Sequence, residues 1–184
     1  TNGLDSENLN HRSTAKDLVR IAKYCMSDSK FRELVSLKEA TIYLNGKEII
    51  IQNTNSLLDG DFIKGIKTGY TNNAGFCLIT YSKKEGVELI CTVLGSSSYG
   101  RNFDTLRLLD WVYDNYKYEK IISKEKSVLD AYAGDVFSDL SFDLFTEKDF
   151  YILLNKTEDN IYFDFDIDQN IALPVLKNKS YGKV

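Results

Sequence analysis

The clearest chemical pattern in the sequence is Lys67-Thr68-Gly69, which ends an extended apolar segment beginning at Phe62. The lysine ammonium supplies positive potential, and the threonine hydroxyl can donate a hydrogen bond to a substrate carboxylate. The glycine has no side chain, so a substrate can approach its backbone closely. A tripeptide is a weak signal by itself, but its position at the end of a strand favours a site for a negatively charged substrate.

A nucleophile is harder to identify from the residues. The chain has one histidine, His11, which lies just ahead of a helix and is interpreted as a surface or capping residue. The S-x-x-K pattern, in which a lysine can activate a serine, occurs four times in this lysine-rich chain. Three of these serines lie among polar residues, whereas Ser13 opens an amphipathic helix with Lys16 one turn later. The pattern alone therefore does not identify a nucleophile.

Hydrophobic periodicity predicts the elements around these residues. Apolar residues at helical spacing predict one helix at about 14–27 and a second at about 102–117. Asn45-Gly46 separates two β-type segments, 41–44 and 47–51, and this dipeptide favours a hairpin with a type I′ turn.

Two apolar runs come after the Lys-Thr-Gly segment, at 75–81 and 87–94. Their almost continuous apolarity predicts an interior sheet that is covered on both faces. Beyond the second helix, short β-type segments separated by acidic turns predict further strands near 127–132, 150–154, 161–165 and 171–176.

Composition limits the class of protein. The chain has 184 residues, of which 43% are hydrophobic and 12% aromatic, and this is enough to form a core. The net charge is -4, and an acidic chain lacks the positive surface that phosphate backbones require, so nucleic acid is not expected as a partner. Residues 1–117 carry 15 basic and 14 acidic residues, whereas residues 118–184 carry 8 and 13. This change in charge predicts a domain boundary near Tyr118.

Cysteines and targeting signals give little further information. Cys25, Cys77 and Cys91 lack C-x-x-C spacing and lie in apolar surroundings, which predicts buried thiols. The first residues resemble no signal peptide, and no apolar run is long enough to span a membrane. The residues alone therefore predict either a cytoplasmic protein or a targeting segment outside this chain.

Several short segments, taken in order, resemble the serine-type D-alanyl-D-alanine carboxypeptidases, which are the low-molecular-weight penicillin-binding proteins. These segments are Gly3-Leu4-Asp5, His11-Arg12-Ser13-Thr14-Ala15-Lys16-Asp17-Leu18, Asn53-Thr54-Asn55-Ser56-Leu57-Leu58, Gly65-Ile66-Lys67-Thr68-Gly69-Tyr70-Thr71, Ala74-Gly75, Leu94-Gly95 and Arg101. The resemblance implies an α/β (α+β) fold. Residues 1–117 would be the C-terminal part of a β-lactamase/transpeptidase-like catalytic domain, and residues 118–184 a small, truncated all-β domain of sandwich type.

The resemblance also implies a function, which is removal of the terminal D-alanine from peptidoglycan stem peptides through an acyl-enzyme. Lys67-Thr68-Gly69 resembles the third motif of the family. By position, the Tyr70 N–H would complete the oxyanion hole, and Thr68 and Arg101 would hold the terminal carboxylate. The implied partners are the stem peptide and β-lactams, with no metal or organic cofactor, and the implied location is extracytoplasmic, in the bacterial cell envelope.

The sequence departs from the family pattern at the nucleophile. In the family, both the S-x-x-K serine and an S-x-N motif lie upstream of the segment that matches Gly3-Leu4-Asp5. We therefore expect this chain to be a fragment that is inactive alone, with its nucleophile in a missing N-terminal portion that can be a separate chain. Ser13 and Ser6-Glu7-Asn8 match the two motifs by pattern but not by order.

Two alternative functions are compatible with the sequence. A β-lactamase shares the three motifs, but such enzymes typically end without an appended β module. A non-catalytic peptidoglycan-binding or scaffold protein would keep the fold and lose the chemistry. An upstream S-x-x-K followed by an apolar helix would favour the enzyme over the scaffold.

Overall fold

The computed structural model describes residues 12–58, 62–133, 140–157, 161–168, 171 and 175–183. Its contacts divide the chain into two compact units, Thr1–Asn115 and Tyr116–Val184. In the described residues, helices occur only in the first unit, and strands occur in both. The mixed α/β class agrees with the prediction. The assignment of 1–117 to a catalytic domain and of 118–184 to a small β domain stays a prediction.

Two helices open the first unit, α1 (Ala15–Cys25) and α2 (Ser29–Ser36). Thr14 caps α1 by accepting a hydrogen bond from the Asp17 N–H at 3.1 Å, and Asp28 caps α2 in the same way. Helix α1 was predicted from its periodicity, whereas α2 was not predicted.

The next element is a β-hairpin, formed by β1 (Glu39–Leu44) and β2 (Lys47–Gln52). Asn45 and Gly46 both have positive φ, at 52° and 74°, as a type I′ turn requires. The predicted hairpin is therefore confirmed.

The centre of the first unit is an antiparallel sheet of β3 (Ile63–Thr71), β4 (Gly75–Lys84) and β5 (Val87–Ser96), in that order. Helix α3 (Gly100–Asn115) contributes to one apolar cluster at this sheet, and α1 and α2 contribute to another. The interior sheet predicted for 75–94 is confirmed. The second predicted helix ends at Asn115 rather than at residue 117, because Tyr116 begins the next strand.

The second unit consists of strands within its described residues. These are β6 (Tyr116–Ile122), β7 (Leu129–Ala133), β8 (Leu140–Leu144), β9 (Phe150–Asn155), β10 (Asp166–Ile167) and β11 (Gly182–Lys183). They pair as β6 with β9, β7 with β8, and β10 with β11. A small core of Ala131, Ala133, Ile171 and Tyr181 holds this unit together.

One of the predicted C-terminal strands is wrong, and another lies partly outside the described residues. Residues 161–165 are rich in β-type residues but pair with no described strand, and Tyr162 is 88% exposed. The nearby strand is the short β10 instead. Residues 171, 175 and 176 are not in a strand, and the rest of 171–176 lies outside the described residues.

Candidate active site

The Lys67-Thr68-Gly69 segment lies on β3, at the edge of the central sheet. Two isoleucines anchor this strand before it reaches Lys67. Ile63 is 2% exposed and packs into the cluster formed with α3, and Ile66 is 9% exposed and packs with Ala22 and Met26. These two isoleucines pack into apolar clusters that involve different helices, so the core of the unit fixes the position of the strand.

Gly65 brings β3 directly against α2. Its φ is +83°, and a Cβ atom at this position would lie 2.8 Å from Cγ2 of Val35. A side chain here would therefore meet both backbone strain and a steric clash. Only glycine lets the strand approach the helix this closely.

The candidate residues on β3 differ in their exposure. Thr68 is buried, at 9% exposed, and Lys67, Gly69 and Tyr70 are exposed. The Lys67 Nζ donates a hydrogen bond to the carbonyl oxygen of Thr68. A Cβ atom on Gly69 would meet only Cys77, at an ordinary 3.7 Å. Packing within the described part of the chain therefore does not require a glycine at position 69.

The Thr68 hydroxyl has a partner that sequence reasoning missed. Its Oγ1 lies 2.6 Å from Oγ1 of Thr54, which belongs to the loop after β2. On one side of Thr54, Asn53 donates to the carbonyl of Leu37 at 2.9 Å. On the other, the 3% exposed Asn55 donates to the carbonyl of Gly65 at 2.9 Å. The two asparagines therefore hold Thr54 against β3.

Arg101 lies near the start of α3 and is linked to β3 through an aromatic residue. Its guanidinium carbon lies 5.4 Å from the ring centroid of Phe76. Phe76 is paired with Tyr70 across β3 and β4, and the two ring centroids are 4.3 Å apart. The Arg101 Nε is buried and has no hydrogen-bond partner in the described part of the chain. Side chains of Thr68 and Tyr70 share one sheet face because they are two residues apart.

The structure thus brings most of the predicted site residues together. Lys67, Thr68, Gly69 and Tyr70 follow one another on an edge strand, and Arg101 reaches Tyr70 through Phe76. Their catalytic and binding roles stay predictions.

The other candidates do not join this group within the described residues. Ser13 is exposed, one position before the cap of α1, and among the described residues no hydrogen bond joins it to Lys16. His11 and Ser6-Glu7-Asn8 lie outside the described residues. An Asn-x-Asn pattern at 53–55 was the signal that could have identified the Thr54 loop.

A cluster of charged groups joins β4 and β5 beside the candidate strand. Burial, followed by the nearby Glu88 carboxylate, raises the pKa of Tyr81 to about 12. A hydrogen bond from Lys83, at 2.6 Å, lowers the pKa of Glu88. These groups interact with one another across the two strands. Contacts within the fold therefore explain their shifted pKa values, and a substrate site is not needed to explain them.

The three cysteines are free and partly buried, so the prediction of buried thiols is only partly correct. Burial raises the pKa of the Cys91 thiol to about 11.

At pH 8 only about one Cys91 in a thousand would then be a thiolate, which is the reactive form. We expect iodoacetamide to label Cys91 slowly in the folded protein and readily in denaturant, as measured by peptide mass mapping. Equal labelling rates in the two conditions would contradict this prediction.

Comparison with known proteins supports the resemblance seen in the motifs. The model of the D-alanyl-D-alanine carboxypeptidase family matches residues 1–98. The chain is 30% identical to the D-alanyl-D-alanine carboxypeptidase DacD of Escherichia coli (strain K12), over 99% of this chain and 47% of that protein. It is 26% identical to DacF of Bacillus subtilis (strain 168), over 94% of this chain and 45% of that protein.

Comparison with solved structures supports the same resemblance. The structure of penicillin-binding protein 5 from Haemophilus influenzae aligns with a TM-score of 0.66 and 25% identity, covering 92% of this chain and 50% of that one. The fold is therefore that of a penicillin-binding protein with a transpeptidase-like domain. The chain belongs to the D-alanyl-D-alanine carboxypeptidase family.

The chain corresponds to only part of the proteins that it matches. It spans about half the length of the curated relatives, at 45% and 47% of DacF and DacD. The family match includes Lys67 to Tyr70 and ends before Arg101. In the described part of the chain, no helix has the length and apolarity needed to cross a membrane.

Proposed function

We propose that this chain supplies the substrate-binding edge strand of a serine-type D-Ala-D-Ala carboxypeptidase. The observation that carries the proposal is the combination on β3 of an exposed Lys67, a hydroxyl on Thr68 and an open Gly69, with Arg101 two aromatic contacts away. Membership in the family supports the reaction class, because the matching relatives are named as carboxypeptidases of this substrate.

The outer edge of β3, at Lys67 to Tyr70, suits a peptide substrate. Within the described residues, no strand other than β4 pairs with β3, so a peptide can meet residues 67–70 of the outer edge as an added strand. The substrate ends in D-Ala-D-Ala with a free carboxylate. Thr68 would donate a hydrogen bond to that carboxylate, and Arg101 would supply the balancing positive charge.

The reaction proceeds through two acyl transfers. A serine oxygen forms a bond to the carbonyl carbon of the scissile peptide, and the carbon–nitrogen bond breaks to release the terminal D-alanine. Water then attacks the ester and regenerates the serine. The Tyr70 N–H would stabilise the oxyanion formed in each step, and the Lys67 ammonium would lower the energy of the same negative charge.

The nucleophilic serine belongs, in this proposal, to a portion of the protein upstream of Gly3-Leu4-Asp5. The chain covers only 45–50% of the matching proteins, so about half of each lies outside the match and leaves room for this serine. The fragment alone would then be inactive. The proposed substrate is the peptidoglycan stem peptide, outside the cytoplasmic membrane, and β-lactams would acylate the same serine. Neither metal nor organic cofactor takes part in these steps.

The role of Arg101 provides the test of this proposal. In the enzyme that carries this chain, Arg101→Ala should reduce kcat/KM for a D-Ala-D-Ala peptide by roughly tenfold to a hundredfold. The reason is that a hydrogen bond to a charged group contributes about 1.5–3 kcal/mol. Release of D-alanine is the quantity to be measured.

Arg107→Ala is the matched control. Arg107 is exposed on the same helix and lies over the Phe103 ring, so its loss should leave kcat/KM unchanged. An equal loss in both variants would indicate a general effect on α3. A wild-type enzyme that releases no D-alanine would contradict the proposed function and favour a non-catalytic scaffold.

A further inference from the structure

We infer that Thr54 is a positioning residue that orients the hydroxyl proton of Thr68 toward the substrate carboxylate. The inference rests on the proposed function, because it concerns the same carboxylate. The observation behind it is the 2.6 Å contact between the two threonine hydroxyls.

The direction of this hydrogen bond is determined by counting protons. A threonine hydroxyl has one proton to donate and lone pairs to accept with, whereas an ionised carboxylate can only accept. When Thr68 donates its proton to the substrate, it has none left for Thr54. The short contact can then persist only if Thr54 donates and Thr68 accepts.

Donation by Thr54 strengthens the next hydrogen bond in the chain. A hydroxyl that accepts a hydrogen bond becomes a better donor, because each bond polarises the next one. Thr68 is 9% exposed, so little water competes for its lone pairs. The two threonines thus form a short relay of hydrogen bonds that ends at the carboxylate.

The loop that carries Thr54 is built to hold this arrangement. The Asn53 side chain accepts from the Asn55 N–H at 2.9 Å, and the Asn55 side chain accepts from the Leu57 N–H at 3.1 Å. These local bonds fix the backbone on both sides of Thr54. The Ser56 hydroxyl accepts from the side chain of Asn102 at 2.9 Å, which ties the same loop to the residue after Arg101.

The loop therefore connects both groups proposed to bind the carboxylate. It contacts Thr68 through Thr54, and it contacts the start of α3 through Ser56. Thr54 itself is exposed, so replacing it changes few packing contacts. This exposure makes its hydroxyl testable without disturbing the core.

The experiment compares two ligands in the enzyme that carries this chain. One is a penicillin with its free carboxylate, and the other is the methyl ester of the same penicillin, which has lost the negative charge. Thr54→Val should slow acylation by the free acid roughly threefold to tenfold, the range for one hydrogen bond. Acylation by the ester should be almost unchanged, and Thr54→Ser, which keeps the hydroxyl, should restore the rate with the free acid.

A double-mutant cycle separates positioning from direct contact. If Thr54 acts through Thr68, then Thr54→Val should have no further effect in a Thr68→Val background. Full additivity of the two losses would overturn the inference, because Thr54 would then act independently. Thr41→Val, at an exposed threonine of β1, is the control for the substitution itself and should leave both rates unchanged.

The remaining outcomes are distinguishable. Equal slowing of acid and ester by Thr54→Val, with a lower melting temperature, would mean a structural role only and would overturn the inference. A reactive wild-type enzyme that is unaffected by Thr54→Val would overturn the role of Thr54 alone. A wild-type enzyme that no penicillin acylates would overturn the proposed function and this role together.

Discussion

Replacing Lys67 with alanine should reduce acylation of the enzyme by about 10²–10³-fold, for both a D-Ala-D-Ala peptide and a penicillin. This is the scale for deleting one electrostatic contact to a developing oxyanion, about 2.7–4 kcal/mol. Lys67 is exposed on the edge strand, and its ammonium donates to the carbonyl of the adjacent Thr68. Because it is exposed, this ammonium can also reach a ligand beside β3, and its loss should change the chemistry more than the fold.

Two further variants make this result interpretable. Lys67→Arg keeps the positive charge and should retain more activity than the alanine variant, because in the proposed mechanism positive charge stabilises the oxyanion. Lys47→Ala removes an exposed lysine from the β1–β2 hairpin and should behave as the wild type. Single-turnover acylation rates give the comparison. Full activity of Lys67→Ala would show that Lys67-Thr68-Gly69 is a coincidental sequence on a surface strand.

Local sequence signals predicted the elements that local interactions stabilise. The Asn45-Gly46 turn needs positive φ at two adjacent residues, and these residue types accept it at low cost. Helix α1 has both a capping threonine, Thr14, and an apolar face that includes the buried Ala22. In both cases the residues that determine the structure are close together in the sequence.

The missed elements depend on distant partners. Helix α2 has only eight residues, and its Phe31 and Val35 pack against the apolar cluster that contains Ile66, about thirty residues away. Strand β6 begins at Tyr116, where helical spacing predicted two more residues of α3. It forms because Tyr116 pairs with Asn155 of β9, and no pattern near residue 116 contains that information.

The candidate site shows the same division. Lys67, Thr68, Gly69 and Tyr70 are adjacent in the sequence, so a motif could identify them. Thr54 is fourteen residues from Thr68 and meets it only because the loop after β2 folds back on β3. The Asn-Thr-Asn segment that contains Thr54 resembles the family sequence, but this resemblance gives no reason for the position of Thr54.

The strand that carries the site depends on a core contact that can be tested directly. Leu109 of α3 is 1% exposed and lies in one cluster with Ile63, the first residue of β3. Leu109→Ala should lower the free energy of unfolding by about 2–5 kcal/mol, because it removes buried methyl groups and leaves a cavity. We expect urea unfolding, followed by circular dichroism, to show a clearly lower midpoint.

Leu108→Ala is a close control for this prediction. Leu108 is the preceding residue of the same helix and is 48% exposed, so the same change in side chain should alter the free energy of unfolding by only about 0.5 kcal/mol. Helix propensity is matched in the two variants, because both replace leucine with alanine in α3. A difference in stability between them therefore measures burial against β3. Similar midpoints for Leu108→Ala and Leu109→Ala would mean that α3 does not anchor the strand on which Lys67 and Thr68 lie.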